Sequence, residues 1–194
     1  MGALRTRMST LLMIVAAGAL PACTTTVVQP DSPAAPVQVF IVDHGRTSSL
    51  VIPSEDGGML RYAYGDWNYY ALGKTDLWHG IAALLWPTRS GLGRASLQGP
   101  ATVESVQRQV TSAHLVLPVN VEHARVLAFE QEMEALYHSR QATEVENPLY
   151  GLTFVYHPRP YTYFWNSNHA VASWLRALGC ETHGLSYRAS WSVQ

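Results

Sequence analysis

Three β-prone runs packed into fewer than thirty residues restrict the architecture most. Val37–Val42 is β-branched and apolar and ends at Asp43-His44-Gly45. Ser49–Ile52 is a second run, stopped by Pro53, and after the turn residues Ser54–Gly58 a third, Leu60–Tyr64, alternates into Gly65-Asp66. Connections this short cannot hold a crossover, so the three predict an antiparallel meander. Downstream, Asp66 is placed to cap a short helix through Tyr70, and Asp76 a longer one through Trp86, closed by Pro87. Thr88–Pro100 reads as a Gly-rich loop, and Val103–Val110 and Ala113–Leu117 as two further strands. Asn120 is expected to cap a helix to about His138, with Val126, Phe129, Met133 and Leu136 as its apolar stripe. Gly151–Tyr156 and Tyr161–Phe164 are β-prone, and Asn166 or Ser167 caps a last helix through about Leu178, ended by Gly179. Strands, helices, strands and a helix in that order predict an α+β fold, an antiparallel sheet with packed helices.

The first 22 residues have a different character. Arg5 and Arg7 precede the apolar run Leu11–Leu20, and small residues then lead to Cys23. Charge, grease and small residues in that order are the layout of a secretory signal, and the run is too short to span a bilayer as a helix. With a cysteine directly after Leu20-Pro21-Ala22, the segment resembles a bacterial lipobox, although Pro21 is an uncommon residue there. That resemblance implies that Cys23 is diacylated and becomes the mature N-terminus. Residues 23–36, rich in Thr, Pro, Ser, Ala and Gln, are expected to form a flexible tether. Residues 37–194 have the size of one domain with one core.

The chain carries 13 basic and 14 acidic residues; the leader holds two of the former and none of the latter, so the mature protein is net −3. Lys74 is its one lysine. A nucleic-acid footprint needs clustered Lys and Arg, and none occurs. Membrane attachment is therefore expected through lipid on Cys23, not through a basic patch. If Cys23 is acylated, Cys180 has no partner within the chain, and it reads either as a small buried hydrophobe or as a reactive or intermolecular thiol. The eight histidines are scattered without ligand spacing, so no metal and no cofactor is expected. Ser90-Gly91-Leu92-Gly93 lacks the lysine of a phosphate loop.

Two places can carry chemistry. Asn166-Ser167-Asn168-His169 follows a strand and opens a helix, where free N–H groups and the positive dipole end gather. Ser167 there is either a capping residue or a nucleophile. His44, in His44-Gly45-Arg46-Thr47-Ser48-Ser49, is either a turn residue or a general base. The aromatic residues Tyr64, Trp67 and Trp165, with Gly65 and Asp66, are candidates for the lining of a cleft beside them, although most rings are expected in the core.

Four segments in order, VFIVDHGRTSSLVIP, YAYGDWNYYA, AALLWP and YTYFWNSNHAVASWLRALG, resemble a family of uncharacterised bacterial envelope proteins, the domain of unknown function 2459. That family is similar to circularly permuted NlpC/P60 and papain-like cysteine hydrolases, in which an early histidine serves a cysteine that opens a later helix. Carried over, the family's G-W-H-T-G pattern falls on Gly45, Arg46, Thr47, Ser48 and Ser49, and its T-C-N on Asn166, Ser167 and Asn168. Thr47 thus stands where the histidine is expected and Ser167 where the cysteine is expected. A serine hydroxyl is far less acidic than a thiol at a helix N-terminus and needs a base beside it. Thr47 cannot be that base.

The resemblance therefore implies an envelope lipoprotein with a degenerate hydrolase-like domain that binds a peptidoglycan fragment, a lipid or a protein partner around Thr47, Ser167 and Asn168. It would face the periplasm from the outer membrane more readily than sit on the inner membrane. The alternative is an active hydrolase or acyltransferase with Ser167 as nucleophile and His44 or His157 as base.

Overall fold

The computed structural model describes residues 24–74 and 86–194. It is α+β. A seven-stranded antiparallel sheet runs β6-β2-β3-β4-β5-β8-β7, formed by β2 (Pro36–Asp43), β3 (Ser48–Pro53), β4 (Met59–Asp66), β5 (Thr88–Leu97), β6 (Leu115–Glu122), β7 (Val145–Asn147) and β8 (Leu152–Tyr161). The expected meander is its centre: Ile41 pairs with Leu50, and Leu50 with Tyr62.

Both faces of this sheet are covered, which is why its central strands are apolar at successive positions. On one face Val39, Ile41, Leu50, Ile52 and Tyr62 pack with Phe129 and Met133 of α2 (His123–Ser139) and Val171 and Leu175 of α3 (Ser167–Ala177). On the other, Phe40, Val42 and Val51 pack against Val106 and Val110, from and just beyond α1 (Val103–Gln109).

Several expectations fail for identifiable reasons. Val103–Val110 is a helix and not a strand: Val103, Val106 and Val110 recur at helical spacing, and the Thr102 hydroxyl caps it by accepting from the Ser105 N–H at 3.2 Å. Thr88–Leu97 is a strand and not a loop. Its glycines sit where rings lie against the sheet: a Cβ at Gly93 would come within 2.7 Å of the Phe154 ring, and one at Gly91 within 3.2 Å of Trp67. Helix α2 begins at His123, because Asn120 still belongs to β6, opposite Gln38. The expected strand Tyr161–Phe164 is replaced, beyond Tyr161, by a tight turn in which Thr162 and Trp165 exchange backbone hydrogen bonds at 3.1 Å. The helix from Asp76 to Trp86 lies outside the described residues except for Trp86.

Part of the segment expected as a tether is ordered. β1 (Thr25–Val28) is the middle strand of a second, three-stranded sheet, parallel to β10 (Trp191–Val193) and antiparallel to β9 (Glu181–His183). Val27 is fully buried in the main core, and alternation of Thr25 and Val27 inward supplies the burial that composition alone does not suggest. Asp66 does cap the single-turn helix Trp67–Ala71, accepting from the Tyr69 N–H at 2.8 Å. Asn166, not Ser167, caps α3, accepting from the N–H groups of Asn168 and His169. Gly179 ends that helix with φ +94°, the left-handed region that favours glycine.

Candidate functional site

The β2–β3 turn, the inward positions of β3, β4 and β8, the Trp67–Ala71 turn and the start of α3 enclose a cavity of about 610 Å³. His44, Thr47 and Ser167 all line it, as does Tyr64. The cavity therefore brings together the residues at which the family resemblance places the working groups.

His44 is held on every side. It lies one residue past β2, in a turn closed by its own N–H donating to the Thr47 carbonyl at 2.9 Å. Asp43 stabilises the turn by accepting from the Gly45 N–H at 2.6 Å. Nε2 of His44 lies 3.2 Å from Arg61 Nη2, which can only donate, so Nε2 is an acceptor. The proton then sits on Nδ1, which donates to the Ser112 carbonyl at 3.0 Å. The Ser49 hydroxyl, fully buried, accepts from Arg61 Nε at 3.1 Å and donates to His44 Nε2 at 2.9 Å. Burial, and then the neighbouring Arg61 charge, pull the imidazole down to about 4. His44 is neutral at physiological pH and a weak base.

Ser167 is in the opposite condition. It is the first residue of α3 and 2% exposed, and its Oγ is buried with no hydrogen-bond partner. With Asn166 doing the capping, the hydroxyl is left over. Among the described residues no imidazole is bonded to it. His44 is engaged as above; His169 places Nδ1 3.0 Å from Asn166 Oδ1; and His157 Nδ1 accepts from the Arg159 N–H at 3.1 Å. Burial lowers both of the latter imidazoles.

Asn168 is a clamp. Its Oδ1 accepts from the Ser48 hydroxyl at 2.8 Å, and its Nδ2 donates to the carbonyl of Arg46 at 3.1 Å. Ser48 in turn accepts from the indole N–H of Trp191 at 2.7 Å. One buried chain of hydrogen bonds thus joins β10, β3, the β2–β3 turn and α3. Thr47 lies beside the Tyr70 phenol, whose pKa burial pushes up.

Gly65, Asp66, Trp67 and Trp165 do not line this cavity. Gly65 leaves room for the Tyr70 ring. The Asp66 carboxylate is spent on the Tyr69 N–H and, at 2.5 Å, the Thr88 hydroxyl. Trp67 packs on Tyr156 with centroids 4.1 Å apart, and Trp165 carries the Arg159 guanidinium over its ring. Cys180 is buried in the main core, its thiol raised to about 11 by that burial. No cluster of metal-ligating side chains occurs among the described residues.

Sequence reasoning missed Ser49, Ser112 and above all Arg61. The signal was present: an arginine in the middle of Met59-Leu60-Arg61-Tyr62-Ala63, a strand otherwise suited to burial, is a buried charge with a purpose. Neither a protein-family model, a curated protein nor a solved structure matches this chain.

Proposed function

We propose that this chain is an envelope lipoprotein whose domain descends from circularly permuted NlpC/P60-like cysteine hydrolases, has lost the reaction, and uses the inherited cleft to bind a ligand. The ligand would be a cell-wall or membrane-derived molecule or a segment of a protein partner. Cys23 would carry the lipid, with the domain facing the periplasm from the outer membrane. The observation that supports the loss of catalysis is the isolation of Ser167: a hydroxyl in the cavity wall with no base against it among the described residues. An alcohol without a positioned base is a poor nucleophile at neutral pH.

A second serine reading rests on the 2.9 Å contact between Ser49 and His44, oriented through Ser112 like a dyad. It is weaker. The Ser49 oxygen already accepts from Arg61, the residue is fully buried, and an imidazole at about 4 is poorly matched to proton abstraction near neutrality. Treatment with a serine-reactive fluorophosphonate decides the matter. The expected result is no labelling of the wild type above that of Ser167→Ala and Ser49→Ala; labelling abolished by either substitution would establish an active enzyme. Membrane fractionation of Cys23→Ser tests the anchor, the expected result being release of the protein from the membrane fraction.

A further inference from the structure

Arg61 is a buried charge whose partners among the described residues are all neutral. It is 6% exposed, and among the described residues it forms no ion pair with a carboxylate. Its partners are the Ser49 hydroxyl, the Tyr150 carbonyl at 3.1 Å and the His44 imidazole, all neutral. Buried charges are ordinarily paired. A guanidinium has five N–H donors, and these contacts use three, leaving two without a partner among the described residues on a side chain that lines the cavity.

The rest of the lining points the same way. Among the described residues lining it, the basic side chains are Arg46 and Arg61, with the imidazoles of His44 and His114, and none of those residues is Asp or Glu. In a chain with more acidic than basic residues, a cavity of one sign is a local arrangement, not an echo of composition. Ser167 adds a buried hydroxyl with nothing to bond, at the positive end of an eleven-residue helix. Thr47, Ser48, Ser49 and Ser112 add hydroxyls to the wall, and its apolar part is Ala63, Leu152 and Phe154 with the rings of Tyr69, Tyr70 and Tyr150.

We propose that the cavity takes an amphiphile, with a carboxylate or phosphate group held by the free N–H donors of Arg61 and an apolar body lying along Ala63, Leu152 and Phe154, the Ser167 hydroxyl donating to a further polar atom of the same ligand. The inference rests on the reading of the cavity as a ligand site and adds its charge and polarity. Arg61 is then a binding residue, and His44, Ser49 and Tyr150 orient it. Planar anions match the guanidinium fork, which a lysine would not reproduce.

Calorimetric titration of the full-length protein in a non-ionic detergent tests it with 4-phenylbutanoate, 4-phenylbutyl phosphate, 4-phenylbutan-1-ol and inorganic phosphate. The carboxylate and the phosphate ester are expected to bind at least about tenfold more tightly than the alcohol, the range of a charge-assisted hydrogen bond. Inorganic phosphate is expected to bind at least about tenfold more weakly than its ester, for want of apolar contact. Arg61→Gln should bring the ratio of anion to alcohol affinity down to about one. Because that substitution touches a buried network, the comparison of the four probes on the wild type stands on its own if the variant does not fold. Equal binding of alcohol and carboxylate would overturn the anionic assignment while leaving a ligand-binding cavity. Equal binding of inorganic phosphate and ester would overturn the apolar half. Failure of all four at millimolar concentration would overturn the inference.

Discussion

Acid should destabilise this protein through one imidazole. His44 is kept neutral by burial and by Arg61, so its pKa is about 4 in the folded chain against 6.5 when unfolded. Below pH 6.5 the unfolded chain accepts a proton at this residue that the folded chain refuses until about pH 4. The unfolded state therefore binds more protons across that window, and stability falls as pH falls. The contribution is intact above pH 6.5 and lost by about pH 4. At about 1.4 kcal/mol per pH unit, the displacement amounts to about 3 kcal/mol, a large part of the stability of a domain this size. His157 and His169 are also lowered, by burial first, and steepen the same limb. The assay is urea unfolding at pH 7 and at about pH 4.5, for the wild type and for His44→Gln. Glutamine lowers stability at both values, but only the wild type carries the His44 proton. The loss between the two pH values is expected to be smaller in the variant by about 2 kcal/mol, since the window is only partly crossed at the lower pH. Equal losses in the two proteins would refute the account of His44 as a neutral, buried, Arg61-facing group.

Three further outcomes follow from packing and hydrogen bonding. Ser48→Ala strands the Trp191 indole N–H and the Asn168 carbonyl together, and should cost about 2–4 kcal/mol in denaturant unfolding; Trp191→Phe should cost less, and the double variant less than the sum of the two. Gly93→Ala drives a methyl to 2.7 Å from the Phe154 ring and should cost about 1–3 kcal/mol, partly recovered by Phe154→Leu; thermal melting reads both. Cys180, buried and with its thiol raised to about 11, should resist iodoacetamide in the folded protein and react only once urea unfolds it, as mass spectrometry would show.

The meander was legible because its strands obey simple rules: β-branched runs, a proline stop and polar turns too short for any other connection. Where reading failed, the same residues served a second rule. Valines at 103, 106 and 110 suit a strand by type and a helix by spacing, and spacing decided. Glycines at 91 and 93 suggest a loop until one knows that Phe154 and Trp67 lie on them, a tertiary fact absent from any local window. At the site, His44 and Ser167 were found as types and positions, but not their relation. Both His44 and Thr47 lie in the turn between β2 and β3, where no strand alternation tells which way a side chain points. Arg61 reads as one residue of a strand, since a sequence shows that a charge is present but not which groups will surround it.

Strand β1 has a consequence for how the molecule is made. Its partners β9 and β10 are separated from it by more than 150 residues; the Ser192 hydroxyl meets that of Thr26 across 166 positions. Translation delivers Thr25–Val28 early, yet that strand can find no neighbours until Glu181–His183 and then Trp191–Val193 emerge. Trp191, which helps to secure it, also donates to Ser48 at the rim of the cleft. A nascent chain stalled short of Trp191 would leave β1 with only one of its two neighbours and the cavity without a brace.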